Sequence, residues 1–460
     1  MNNAVNSIHL CLILLLAAAF PGIAIGKQKM DTTAELTQFG HATNWRGTLN
    51  LTSDEALAVA WNIEIGAGRS QVVGLGDEIY LTGGTAERLD DKTRLTNRVV
   101  AIDATSGQTK WSTQQESLMW DEQENFGETP VSPQATPLIV GPNLITVSFT
   151  GQLICQSRAD GSKVWEKQLV EDLGAEPVQF GFSASPVFDI SEPERIYVLA
   201  AGKDAGFFCF NVADGTVIWK SACTSCSYAT PVVANFGGTK QWIVVSEDEV
   251  FGVSPADGKR LWLYSWPKDG LTNVPSPLVV DDSRLLISGQ GCDGTSCLAI
   301  KIDQNSWVVE ECWSTRKIKF FYTNWTRVSD EIVAGCTDKL LMAFDVKDGS
   351  ILGRWRGFAD GNVTVVDKEL FVLDGKGSLN VIELGQATET KPVSFTAKEK
   401  LKIIEARCWT PFSIIANRIF IRADDRLICL TVNPRQDGNT LKNQLTVPKM
   451  LELAPEKNTN

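Results

Sequence analysis

Histidine is almost missing from this chain: its 460 residues include two, His9 and His41. That shortage disfavours a Ser-His-Asp triad, excludes a histidine-cluster metal site and leaves no CxxCH for haem. Basic charge is also scarce. Forty-three Lys and Arg face 55 Asp and Glu, a net charge of −12. No stripe of Lys and Arg offsets this, so nucleic acid is not an expected partner. Long apolar runs are missing too. The one stretch of note, Leu10 to Phe20, has eleven residues and is too short to span a bilayer. Pro21-Gly22 follows it, and Ala24 and Gly26 stand at −3 and −1 of a cut before Lys27. This pattern reads as a secretory signal over 1–26, although its start carries no Lys or Arg. A periplasmic or extracellular chain with no transmembrane segment after signal removal is therefore expected.

What is present is a repeat. A Ser/Thr-Pro pair opens a short strand at Thr136, Ser185, Thr230, Ser276 and Thr410, and weaker versions fall at Ser70-Gln71, Asn324 and Asn362. The clear copies mostly stand about 45 to 49 residues apart, the length of a four-stranded propeller blade. A β-branched run follows each, as in Ile145-Thr146-Val147 and Ile243-Val244-Val245. A third strand comes next, as in Ala101-Ile102-Asp103, and then an Asp-Gly-type turn and a tryptophan. The tryptophans are Trp111, Trp165, Trp219, Trp262, Trp355 and, in a degenerate copy, Trp313. Asp-Gly supplies the positive φ that a tight strand connection needs.

Trp61 precedes the first full copy, while the last copy has no tryptophan of its own. Its segment is expected to be the outer strand of the last blade, donated by the N-terminus to close the ring. The fold predicted is all-β, an eight-bladed β-propeller over 56–435. An N-terminal arm at 27–55 precedes it and a polar tail at 436–460 follows.

The unit A-x-D-x-x-[ST/D]-G-x-x-x-W, complete from Ala101 to Trp111, resembles the repeat of the pyrroloquinoline-quinone-like propeller superfamily. The resemblance runs over about 61 to 432. It implies that the repeat tryptophans, Trp61 included, pack between blades. It says little about function, because the superfamily includes quinoprotein dehydrogenases and also non-catalytic members such as the lipoprotein of the outer-membrane barrel assembly machine.

Ten cysteines remain after Cys11 leaves with the signal. Cys155, Cys209 and Cys429 occupy the small buried position filled elsewhere by Ala101, Gly252, Ala299 and Ala343, so packing explains them. Cys292 and Cys297 flank a turn and could form a local disulfide. Cys223 and Cys226 form a lone CxxC, read as a structural disulfide or two free thiols. A thioredoxin role needs a βαβ context, and one CxxC is half a zinc site.

No catalytic or metal-ligating residues stand out. The quinone-dependent members often carry an adjacent cysteine pair, which this sequence lacks, and long inter-blade insertions, while its own connections are short. The longest holds Trp120 to Asn125, read as a solvated acidic loop. The leading expectation is thus a binding or scaffolding module for a protein or glycan partner in the cell envelope, with no cofactor. The alternative is a dehydrogenase using pyrroloquinoline quinone (PQQ) with calcium. The loops entering each first strand should gather around the central opening. Arg69, Phe182, Tyr228, Trp325, Arg407 and Trp409 are the candidate rim.

Overall fold

The computed structural model describes residues 55–434, apart from 91, 120–131, 267–273, 290–293, 321, 367–368 and 386–392. The leader at 1–26, nearly all of the arm at 27–55, the Trp120 loop, Cys292 and the tail at 436–460 lie outside the described residues.

Eight antiparallel sheets follow one another along the chain. In blade 1 the strands are Val73–Leu75, Glu78–Arg88, Thr93–Asp103 and Thr109–Leu118. Blades 2, 4, 5, 6 and 7 repeat the four-strand order within 138–168, 232–265, 278–315, 325–356 and 362–402. In blade 3 three strands pair, and the innermost one shrinks to a single bridge between Val187 and Tyr197. There the Asp189 carboxylate accepts the Ser191 amide and hydroxyl, and this local turn draws the backbone away from the ladder.

Burial explains the strand compositions. Second and third strands are covered by neighbouring blades on both faces, so Asn143–Val147 and Gln152–Ser157 are buried almost throughout. Outer strands meet solvent on one side and alternate, as Val217–Ala222 does.

Blade 8 joins the two ends of the ring. Ser413–Ile415, Arg418–Ala423 and Arg426–Pro434 come from the C-terminal end, and Glu55–Glu64 pairs antiparallel to Arg426–Pro434 as its outer strand. The expected N-terminal donation is the one observed, with Trp61 opposite Cys429. The same register sets Trp111 opposite Ala101, Trp165 opposite Cys155, Trp219 opposite Cys209 and Trp262 opposite Gly252. A bulge follows each of these pairs.

Trp61, Trp111, Trp165, Trp219 and Trp313 each join their blade to the next. Trp111 Nε1 donates to Arg158 O at 2.8 Å, Trp165 Nε1 to Val212 O at 2.8 Å, and Trp219 Nε1 to Pro255 O at 2.9 Å. Trp313 and Trp61 make the equivalent bonds to Val346 and Ala104. Each ring lies on the glycine of the next blade's Asp-Gly-type turn. At Gly215 and Gly258 a Cβ would come within 2.7 and 2.5 Å of the Trp165 and Trp219 rings, and both residues have positive φ. Glycine therefore serves twice there, in the turn and beneath the indole.

Three details depart from the sequence expectation. Ala343 pairs with Gly353, so Trp355 stands two residues beyond the docking position and packs on Phe358 and Phe395 instead. In blade 5 the outer hairpin is longer, with Gln304 and Asn305 at positive φ in its turn, so Cys297 and not Ala299 faces the tryptophan. That turn has no glycine, and Trp262 of blade 4 bonds to Gln241 Oε1 of its own blade.

The seam between blades 8 and 1 holds a residue the sequence reading missed. Arg422 is 1% exposed. Its Nη1 donates to Ser70 Oγ at 3.0 Å and to Thr82 O, and its Nη2 to Gly66 O at 3.1 Å. Burial pulls its pKa down to about 9, opposed by Asp424 and Asp425.

Candidate functional site

Antiparallel alternation places all the connections into first strands at one face of the ring. Residues from all eight blades meet there around a cavity of about 240 Å³. Its wall includes Arg69 and Gln71 of blade 1, Gln134 and Thr136 of blade 2, Phe180, Ser183 and Ser185 of blade 3, and Tyr228 and Thr230 of blade 4. Val274, Ser276, Tyr322, Asn324, Trp325, Asn362, Val363, Trp409, Thr410 and Pro411 complete it.

A chain of hydrogen bonds builds this wall, and it explains the Ser/Thr landmark. The amide of Gln71 donates to Thr136 Oγ1 at 3.1 Å, Thr136 to Ser185 Oγ at 2.9 Å, and Ser185 to Thr230 Oγ1 at 3.1 Å. Thr230 continues to Ser276 Oγ at 3.3 Å, and Ser276 to Asn324 Oδ1 at 2.8 Å. On the far side Asn362 Nδ2 donates to Trp409 O, and Thr410 Oγ1 donates to Arg69 O at 3.1 Å. At each landmark position an oxygen-bearing side chain reaches the neighbouring blade. The proline that often follows lacks an N–H, which suits an innermost strand with an open edge. Asn324, Asn362 and Gln71 are the same position in other residue types, which is why those copies look weak in the sequence.

The candidate rim divides. Arg69, Tyr228, Trp325 and Trp409 line the cavity. Trp325 is fully buried, with Nε1 donating to Ser276 O at 3.0 Å. Tyr228 accepts the Phe180 amide at 3.1 Å, and the two rings lie 5.9 Å apart. Burial raises the Tyr228 pKa, so the phenol stays protonated. Phe182 is not in the wall. It turns into the core between blades 2 and 3 and covers Gly151, leaving the wall position to Phe180. Arg407 is not in the wall either, but its guanidinium lies 4.6 Å from the centre of the Trp409 ring. Arg69 lies at the same distance from that ring, and Tyr322 stacks with it at 5.6 Å. The result is a cluster of two cations on one indole. Burial and the nearby Arg407 charge both lower the Arg69 pKa.

The cysteines lie apart from this wall. Cys155, Cys209 and Cys429 are buried free thiols, with pKa pushed up to about 12 by burial. Cys223 and Cys226 are also free thiols, donating to Ser225 O and Ser227 O. Cys297 is a free thiol as well; its pKa is raised to about 12 by burial and by Cys312 beside it.

The cavity wall does not fit a calcium-held quinone. Its oxygen donors are amides and hydroxyls, and none of its residues is a carboxylate. Among the described residues no cluster of three His, Cys, Asp or Glu could hold a metal ion. No described helix is long and apolar enough to cross a membrane.

A comparison with curated protein sequences finds no match. Among solved structures the chain is similar to BamB from Moraxella catarrhalis, at 14% identity and a TM-score of 0.54, covering 83% of this chain and 99% of that one. It is similar to Sqt1 from Saccharomyces cerevisiae at 10% identity and a TM-score of 0.50, covering 84% and 100%. A quinohemoprotein alcohol dehydrogenase from Comamonas testosteroni matches at 12% identity and a TM-score of 0.45, covering 81% and 80%. At these identities the likeness is one of fold. A family model described as outer membrane protein assembly factor BamB matches residues 40–219 and 95–356, more than half the chain. With its eight blades and its Asp-Gly-to-Trp repeat, the chain belongs to this BamB family of pyrroloquinoline-quinone-like propellers.

Proposed function

We propose that this chain is an exported, non-catalytic propeller that binds and scaffolds a protein partner in the cell envelope, using the mouth of the central channel. The observation that carries this reading is the wall itself. It presents aromatic rings, amides and a guanidinium, the groups that recognise a partner, and no carboxylate or imidazole for proton transfer. Membership of a family described by an assembly factor supports a protein partner over a glycan. The dehydrogenase alternative finds no support in the donor set of the wall.

The test is capture of partners from native envelope extracts on the full mature chain, with identification by mass spectrometry. A stable protein partner, recovered in constant proportion, is the expected result. Recovery of a glycan alone, or of nothing, overturns the reading. So does dye reduction with alcohols or sugars after reconstitution with PQQ and calcium.

A further inference from the structure

The charge at the channel mouth is out of keeping with the rest of the molecule. The chain carries a net −12, yet two guanidiniums share the Trp409 indole at 4.6 Å each. Among the described residues neither Arg69 nor Arg407 has a side-chain ion pair or hydrogen-bond acceptor; their contacts are with the ring. Asp424 offsets part of their repulsion from a distance. An arginine fork has five N–H donors, and leaving them without acceptors in a half-buried site is costly. Of the two, Arg69 lines the cavity, and Arg407 lies outside the wall on the same indole.

These groups define a ligand. Two guanidinium forks on one indole ask for an anion with planar, paired oxygens. The cavity, at about 240 Å³, falls below the range of roughly 300 Å³ and more usual for whole cofactors. It suits one side chain with its adjoining peptide units. The stacked Tyr322 and Trp409 add an aromatic surface beside it. Resting on the protein-partner reading above, we infer that the channel mouth seats a carboxylate side chain from an acidic segment of that partner, bound by Arg69 and Arg407. The chain's net charge of −12 disfavours such a segment over most of its surface, which favours docking at the paired arginines.

The test is fluorescence polarisation of a labelled peptide of alternating glutamate and glycine with the full chain. Its glutamine counterpart, inorganic phosphate and free glutamate serve as the other arms. The glutamate peptide is expected to bind, and its affinity to fall as salt rises. The glutamine peptide and the R69Q/R407Q variant are each expected to bind at least about tenfold more weakly, the scale of one lost charge-assisted hydrogen bond. Equal binding of the two peptides overturns the inference. So does unchanged binding by the variant, or phosphate or free glutamate competing as well as the peptide does. If the variant fails to melt cooperatively, the salt series decides: affinity that does not change with salt overturns the inference. A captured partner that excess glutamate peptide fails to displace leaves the scaffold reading standing and sinks the carboxylate site. Peptide binding with no captured partner does the reverse.

Discussion

Arg422 shows how a single charged side chain can hold two ends of a chain together. It lies on Arg418–Ala423 of blade 8, and its acceptors belong to Gly66, Ser70 and Thr82, which the sequence places at the opposite end. Gly68 packs against the guanidinium so closely that a Cβ there would overlap Nη2. Substituting Arg422→Met would keep the bulk but remove the donors to Gly66 O and Thr82 O across the seam, leaving the Ser70 hydroxyl with its bonds to Thr82 alone. A loss of about 2–4 kcal/mol is expected, read from urea denaturation. A change under about 0.5 kcal/mol would mean that water replaces the guanidinium without cost. This residue could not be read from the sequence, because a lone arginine in a strand carries no periodic signal. The Arg69 and Arg407 pair was legible as two members of a rim. That they share one indole was not, because 338 residues of sequence separate them and only ring closure brings them together.

At the scale of the element, the outer hairpin is the repeating part. Its turn aspartates Asp103, Asp160, Asp214, Asp257 and Asp348 accept hydrogen bonds from Ser106, Ser162, Thr216, Ser254 and Ser350. Those bonds hold each carboxyl below its ordinary value of 3.8. A depressed folded-state pKa contributes stability that is present above the unfolded value and lost as pH falls through the folded one. The melting temperature is therefore expected to hold down to about pH 5 and to drop below about pH 4. Asp103→Asn and Asp214→Asn should flatten that acid limb, as measured by thermal melts across the pH range. The repeat spacing made most of these hairpins legible. It failed where the tryptophan left its place or the hairpin changed length. In blade 6 the hairpin is unchanged but Gly353 holds the docking position, and Trp355, six residues after Gly349 where Trp111 is four after Gly107, misses the dock. In blade 5 the hairpin is longer, with fifteen residues between the small buried position and the tryptophan where blade 1 has nine, and that position falls at Cys297 and not Ala299.

For the whole molecule, eight copies of one unit were enough to read the blade count and even the donated strand, because each copy had to bury the same faces. The channel mouth was legible only as a list of loops. Its hydrogen-bond chain depends on side chains from neighbouring blades meeting about 45 to 49 residues apart, a relation that no local pattern encodes. Deleting 55–64 should remove the partner of Arg426–Pro434 and uncover Gly107. The expected outcome is a lower and broader melt by calorimetry, with self-association through the bare edge seen by light scattering. A single sharp transition at the parental temperature would show that blade 8 does not need its fourth strand.

Blade 8 also has a history in time. Glu55–Glu64 is made early, yet its partner, Arg426–Pro434, is among the last of the described residues to be synthesised. Seven blades can form in order as the chain lengthens, while the first strand waits with its backbone donors and acceptors unpaired. Until the final strand emerges the molecule is an open arc with a free edge at each end, the form in which it is most exposed to mispairing with another copy of itself.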